Sequence, residues 1–177
     1  MAVQGNWSYF TIYRFHWTEK MVGISLAAVG ALVGAVQAGL TKPVNSRLGN
    51  EKSIYLGLFL YAIGLTLFAF ATHGWLMFLF LIPYCAGGVA GPALQSTMAA
   101  HVQRNQQGEL QGTLTSLMSL TTIIGPLIMN NLFRYFTTDK APIFFPGVSF
   151  LLGALFMLSG ILIAWLSFQH DRKLATN

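Results

Sequence analysis

Within residues 110–133, Gln111, Thr115, Ser119 and Thr122 recur at spacings of four, four and three. Those intervals stack them on one face of an α-helix. All four are neutral hydrogen-bonding groups, and the segment contains no Asp, Glu, Lys or Arg. In apolar surroundings such a stripe either hydrogen-bonds to neighbouring helices or lines a water-filled cavity where a solute can sit. Two further polar side chains stand alone in apolar segments, Gln37 and Tyr84. We take Gln37, Tyr84, Gln111, Thr115 and Ser119 as the candidate cavity-lining set. Catalytic chemistry is missing around them: the chain has no Gly-x-Ser-x-Gly elbow, no His-Glu-x-x-His helix and no Walker loop. His16, His73, His101 and His170 fall at helix ends or loops, and Cys85 is the single cysteine. No metal site, cofactor or enzymatic reaction is therefore expected. Glu109 precedes the stripe, where a carboxylate favours the helix dipole and can cap the helix.

A second set of residues bears on movement. The stretch "GGVAGP" (residues 87–92) and the pair Gly125-Pro126 lie in apolar segments that read as helix interior. Proline lacks the N–H that would bond the carbonyl four residues back. Pro92 thus frees the carbonyl of Gly88, Pro126 that of Thr122 and Pro83 that of Leu79. Gly88, Gly91, Pro92, Gly125 and Pro126 are candidate helix breaks. Such breaks either move with a ligand, as in transporters with interrupted helices, or form static kinks fitted to a bundle.

These residues need apolar elements to hold them. Of 177 residues, 54% are hydrophobic and 8% charged, against roughly 25% charged in a soluble domain. The solvent of such a chain is lipid. Its net charge of +5 is dispersed over short loops, which fits membrane topology and anionic headgroups rather than a nucleic acid. The opening "MAVQGNWSYF" has neither a basic region nor a continuous apolar run, so it is not a secretory signal. Five segments free of Asp, Glu, Lys and Arg are long enough to span: 21–40, 54–72, 75–94, 110–133 and 147–168. The run Ser53–Gln103 has no such charge and as one helix would be about 75 Å long. A hairpin at His73-Gly74 is expected to divide it. Segments 54–72 and 147–168 are the least polar and read as lipid-facing. Glycines four or seven apart (Gly30/Gly34, Gly87/Gly91, Gly57/Gly64 and Gly153/Gly160) are expected to let helices pack closely.

Residues 1–20 read as the aromatic-rich exit end of a preceding helix and an external loop, residues 21–168 as a five-helix bundle, and residues 169–177 as a cytoplasmic tail. With loop 41–53 cytoplasmic, Lys42, Arg47, Lys52, Arg104, Arg172 and Lys173 are inside. Arg14, Lys20, Arg134 and Lys140 are outside, so the basic count is six to four. That sign puts the N-terminus outside, the C-terminus in the cytoplasm and the chain in the cell (inner or plasma) membrane. An external start followed by an odd number of spans is the expectation for a piece that follows an upstream half.

Longer stretches carry a resemblance. "YRFHWTEKMVGISLAAVGALVGAVQAGLTKPVNSRLGNEK" resembles the seventh-to-eighth helix region and following loop of major facilitator superfamily transporters close to the tetracycline exporters. "GPALQSTMAAHVQRNQQGELQGTLTSLMSLTTIIGP" and "GVSFLLGALFMLSGILIAW" resemble the tenth to twelfth helices of the same group. The resemblance implies an all-α membrane fold, the C-terminal six-helix half of that architecture with its first helix truncated and five full spans. It implies a central cavity bordered by the seventh, eighth, tenth and eleventh helices, with segments 54–72 and 147–168 outside. It also implies that Arg47, Gly49 and Lys52 belong to the cytoplasmic loop motif, although Lys42 and Ser46 stand where Gly and Asp are usual. The exporters couple to protons through acidic and histidine residues in the eighth and ninth helices. Segments 21–40 and 54–72 contain none.

The resulting expectation is part of a drug efflux antiporter working by alternating access, with the proton as coupling ion and no cofactor. Its partners would be the lipid bilayer, a missing N-terminal six-helix half and a drug-like small molecule. A carrier for a sugar, metabolite or lipid, or a small membrane protein pairing with a separate half-transporter, are the alternatives.

Overall fold

A computed structural model describes residues 2–138 and 144–175, with side chains from Trp7 onward except those of Asp171, Leu174 and Ala175. Lys140 and the side chains of Gln4 and Asn6 lie outside the described set. Every regular element among the described residues is helical. Four helical runs are long and apolar enough to cross a membrane: Glu19–Ala69, Gly74–Ala100, Arg104–Thr137 and Val148–His170.

Helix α1 (Ala2–Phe15) ends where His16 takes φ 52°, and its N–H closes on the carbonyl of Ile12 at 3.0 Å. Helix α2 (Glu19–Ala35) starts on Thr18, whose hydroxyl accepts the N–H of Met21 at 3.4 Å. That hydroxyl satisfies one of the first-turn donors, and Glu19 complements the dipole. A π-helical turn (Val36–Leu40) leads into α3 (Thr41–Ala69) without a loop. The expected loop 41–53 is thus mostly helix. Its residues are polar but, Pro43 and Gly49 apart, compatible with helix; polarity marks the membrane surface, not loss of helical structure. The divide is a single residue. Gly49 has φ 77° and ψ 164°, a backbone region open essentially only to glycine. Without it the run Glu19–Ala69, 51 residues, would extend about 76 Å.

Helix α3 is the hub. It packs α7 (Val148–Ala175) on one side and, on the other, α4 (Gly74–Ala86), a 3-10 turn (Gly87–Val89) and α5 (Ala90–Ala100). Ile54, Leu65 and Phe68 are fully buried, while Leu56, Phe59 and, just past the helix end, Phe70 meet the exterior. This differs from the lipid-facing assignment of 54–72. Lipid tails and helix neighbours are equally apolar, so low polarity alone does not separate them. Helix α7 does expose a broad apolar face, with Leu155, Leu162 and Ile163 each more than half exposed.

Close approach on α3 depends on missing side chains. A Cβ at Gly57 would lie 2.6 Å from that of Ala90, and one at Gly64 would lie 2.7 Å from that of Tyr84. Gly87 likewise abuts Tyr61, and Gly153 abuts Leu65. Gly30, Gly34 and Gly91 face open space, contrary to the packing expected of them.

Helix α1 packs into the bundle. Trp7, Phe10 and Thr11 are buried, while Tyr9 and Tyr13 are exposed, so its two faces differ. The Trp7 ring meets Phe68 edge-on at 5.0 Å, and Phe10 meets Phe150 at 4.9 Å. The buried indole N–H donates to Ser25 Oγ at 2.9 Å, and that hydroxyl donates to the carbonyl of Val22 at 2.7 Å.

Candidate functional site

Helix α6 (Gln107–Thr137) carries the polar stripe and packs mainly on α1 and α7. Its C-terminal half makes those contacts: Met129 is its only buried residue, the Ser149 hydroxyl donates to the Met129 carbonyl at 3.0 Å, and Tyr13 meets Phe133 at 5.8 Å. Gln111, Thr115, Ser119 and Thr122 are all exposed, and so are the apolar Leu117, Met118 and Ile123 beside them.

The hydroxyls are turned onto their own helix. Ser116 donates to Gly112, Ser119 to Thr115 and Thr122 to Met118, at 2.8–2.9 Å. Each hydroxyl retains lone pairs that can accept. Gln111 supplies both donors and acceptors. The face can therefore hydrogen-bond a solute without carrying charge. Among the described residues no group of His, Cys, Asp and Glu could hold a metal ion.

Gln37 and Tyr84 belong to a different neighbourhood. Gln37 is exposed within the π-helical turn, which packs against the 3-10 turn Gly87–Val89. Tyr84 is half-buried, 5.1 Å from the Tyr61 ring and 5.4 Å from Phe68. Tyr61, unnoticed in the sequence, bounds Gly88: a methyl there would be 3.7 Å from its hydroxyl and 4.0 Å from Val36. Two irregular turns thus cross where Gly88 lies. Mid-helix π and 3-10 turns recur at functional positions. The tightened turn includes Gly88, whose carbonyl has no N–H four residues on because residue 92 is proline. Gly91 is exposed and Pro92 half-buried. At Gly125 and Pro126 the helix continues as α without interruption.

In the loop motif, Gly49 makes the bend, while Arg47 and Lys52 are exposed. The residues that tie helix ends together are their neighbours. Asn50 Nδ2 donates to Ser96 Oγ at 3.0 Å, joining α3 to α5. Arg172 donates to Glu51 at 2.6 Å, joining α3 to α7, and the hydrogen bond to that carboxylate holds the guanidinium pKa above its ordinary value. Glu51 and Arg172 are 121 positions apart, and no local pattern announces such a pairing.

Three proteins are similar to this chain in sequence. The tetracycline resistance protein, class G, of Vibrio anguillarum is 46% identical over 121 residues, 68% of this chain and 31% of that protein. The class C protein of Escherichia coli is 42% identical over 127 residues, covering 72% of this chain and 32% of its own length. The class H protein of Pasteurella multocida is 35% identical over 170 residues, covering 94% and 40%. The chain therefore spans about a third of the length of the curated relatives it matches. No solved structure matches it. The family described as the Major Facilitator Superfamily matches residues 1–177, and this multi-pass, all-helical membrane chain belongs to it.

Proposed function

We propose that the chain forms the C-terminal half of a proton-coupled drug exporter working by alternating access, inactive without the half that completes it. The observation that carries this reading is α6: between Glu109 and Arg134 the helix carries no charge, and its neutral polar stripe, Gln111, Thr115 and Ser119, is exposed. Major facilitator transport sites form between two halves. A polar membrane face without a mate is costly, and the curated relatives have the length to supply one. Gln37 and Tyr84 contribute from the crossing of the irregular turns, and Gly88 with Pro92 gives that wall a hinge. The relatives' names favour a tetracycline-like substrate. The stripe, being neutral, fits a sugar or other uncharged solute as a second reading; a substrate panel separates the two.

The test is reconstitution. Proteoliposomes holding this chain alone are expected to show no drug uptake under an imposed pH gradient. Co-reconstitution with the amino-terminal half of the class G relative is expected to produce it. Thr115→Cys is expected to label with a hydrophilic maleimide and to be protected by the drug; the native Cys85 is buried and stays silent. Uptake by this chain alone, or labelling of Thr115→Cys indifferent to drug, would sink the proposal.

A further inference from the structure

Between α6 and α7, away from the stripe, lies a cleft of about 850 Å³ lined by Leu127, Ile128, Asn131, Leu132, Arg134, Tyr135, Thr138 and Leu152. Its volume is in the range of sites that hold a small amphiphile. The bond from Ser149 to the Met129 carbonyl joins the two helices beside it, so the walls are set without a ligand.

The lining is graded along the helix. Arg134, Tyr135 and Thr138 occupy one end, and Leu127, Ile128 and Leu152 the other. From Thr138 to Leu127 the helix covers about 16 Å, close to half of a hydrocarbon core of about 30 Å. Arg134 is the first charge after the charge-free segment 110–133, which puts it at headgroup level. Among the described residues, none of those lining the cleft is acidic. The contact of Tyr13 with Phe133 brings the end of α1, with Arg14, to the same membrane face, adding positive potential. The donors are disposed for an anion. A guanidinium can bind a phosphate in a bidentate manner, and the Tyr135 ring is 60% exposed. Asn131 spends one amide hydrogen on the Leu127 carbonyl at 2.8 Å and has a second for an ester carbonyl. Thr138 turns its hydroxyl onto the Arg134 carbonyl at 2.6 Å, which satisfies one carbonyl at the helix end.

We propose that this cleft is a binding site for one anionic phospholipid, its phosphodiester on Arg134 and Tyr135 and one acyl chain along Leu127, Ile128 and Leu152. An amphiphile with charge at one end and a leaflet-deep apolar tail fits the gradient; a zwitterionic lipid lacks the net charge, and a second helix would leave Arg134 desolvated.

Native mass spectrometry of the full chain with phosphatidylglycerol or phosphatidylethanolamine tests it. Phosphatidylglycerol is expected to be retained as one copy in preference to phosphatidylethanolamine. Arg134→Gln is expected to lower that retention about fivefold, the factor one cation near an anionic surface supplies, whereas Arg134→Lys keeps most of it. Leu152→Trp fills the apolar end without changing charge and is expected to abolish the tightly held copy. Lys20→Gln removes a cation from the same membrane face and is expected to leave retention unchanged. Equal retention of both lipids, an equal loss with Lys20→Gln, or a Leu152→Trp variant that binds normally would each overturn the site. So would a dimer that Leu152→Trp dissociates, which would give the cleft to a second copy.

Discussion

Gly57 and Gly91 sit on neighbouring helices, and their surroundings differ in kind. A methyl on Gly57 would press on Ala90 and on the carbonyl of Gly87 at 2.6–2.8 Å, much of it backbone that cannot yield; a methyl on Gly91 would meet nothing within 4 Å. Helix association in lipid rests on such contacts rather than on the hydrophobic effect. Gly57→Ala is therefore expected to destabilise the bundle by about 1–3 kcal/mol, the usual result of overpacking. Gly91→Ala should be neutral or slightly stabilising, since alanine is the better helix former. Unfolding of the two variants in a denaturing detergent series checks this. Equal effects would mean that α3 and α5 do not meet as closely as described. Small-residue spacing made Gly57 and Gly64, seven apart, visible in the sequence, but it also marked Gly30 and Gly34, four apart, where an added methyl would meet nothing within this chain. Spacing identifies where helices could approach, not which ones do.

At the scale of elements, α3 shows what pattern reading reaches and where it stops. That the chain is helical and membrane-embedded followed from its charge-free runs, and the bend at Gly49 lay in a recognisable motif. That α3 is the hub did not follow, because a residue facing lipid and one facing a helix are chemically alike. Nor did the burial of Trp7 and Phe10, since aromatic residues also populate membrane interfaces. The base of α3 carries a consequence of its own. Asn50 and Glu51 stand just after Gly49 and reach α5 and α7. Glu51→Gln is expected to loosen the last turns of α7, raising hydrogen exchange there by a few-fold at most, because exposed ion pairs contribute little. The exchanged pair Glu51→Arg with Arg172→Glu should restore slow exchange. If the single variant exchanges like the parent, the pair is incidental to how α7 is held.

For the whole molecule, the contacts gather the basic residues at two ends. The aromatic contact of Tyr13 with Phe133 puts Arg14, Lys20 and Arg134 at one end. The Asn50–Ser96 and Glu51–Arg172 contacts put Arg47, Lys52 and Arg172 at the other. Between them α2 and the helix that continues it rise about 45 Å from residue 19 to residue 48, enough to cross the core. We propose that the second end is cytoplasmic, on the excess of six basic residues over four. In intact cells a membrane-impermeant maleimide should then label Lys20→Cys and not Lys52→Cys, with Lys52→Cys reacting after lysis. Labelling of Lys52→Cys in intact cells would reverse the orientation. The excess is only two charges, so the balance is expected to be fragile. Neutralising Arg47 and Lys52 leaves four basic residues at each end. With the bias removed, the chain should insert both ways, and a reporter His73→Cys, which leaves the count of basic residues unchanged, should label only in part. Full labelling of that triple variant would show that something other than loop charge orients the chain.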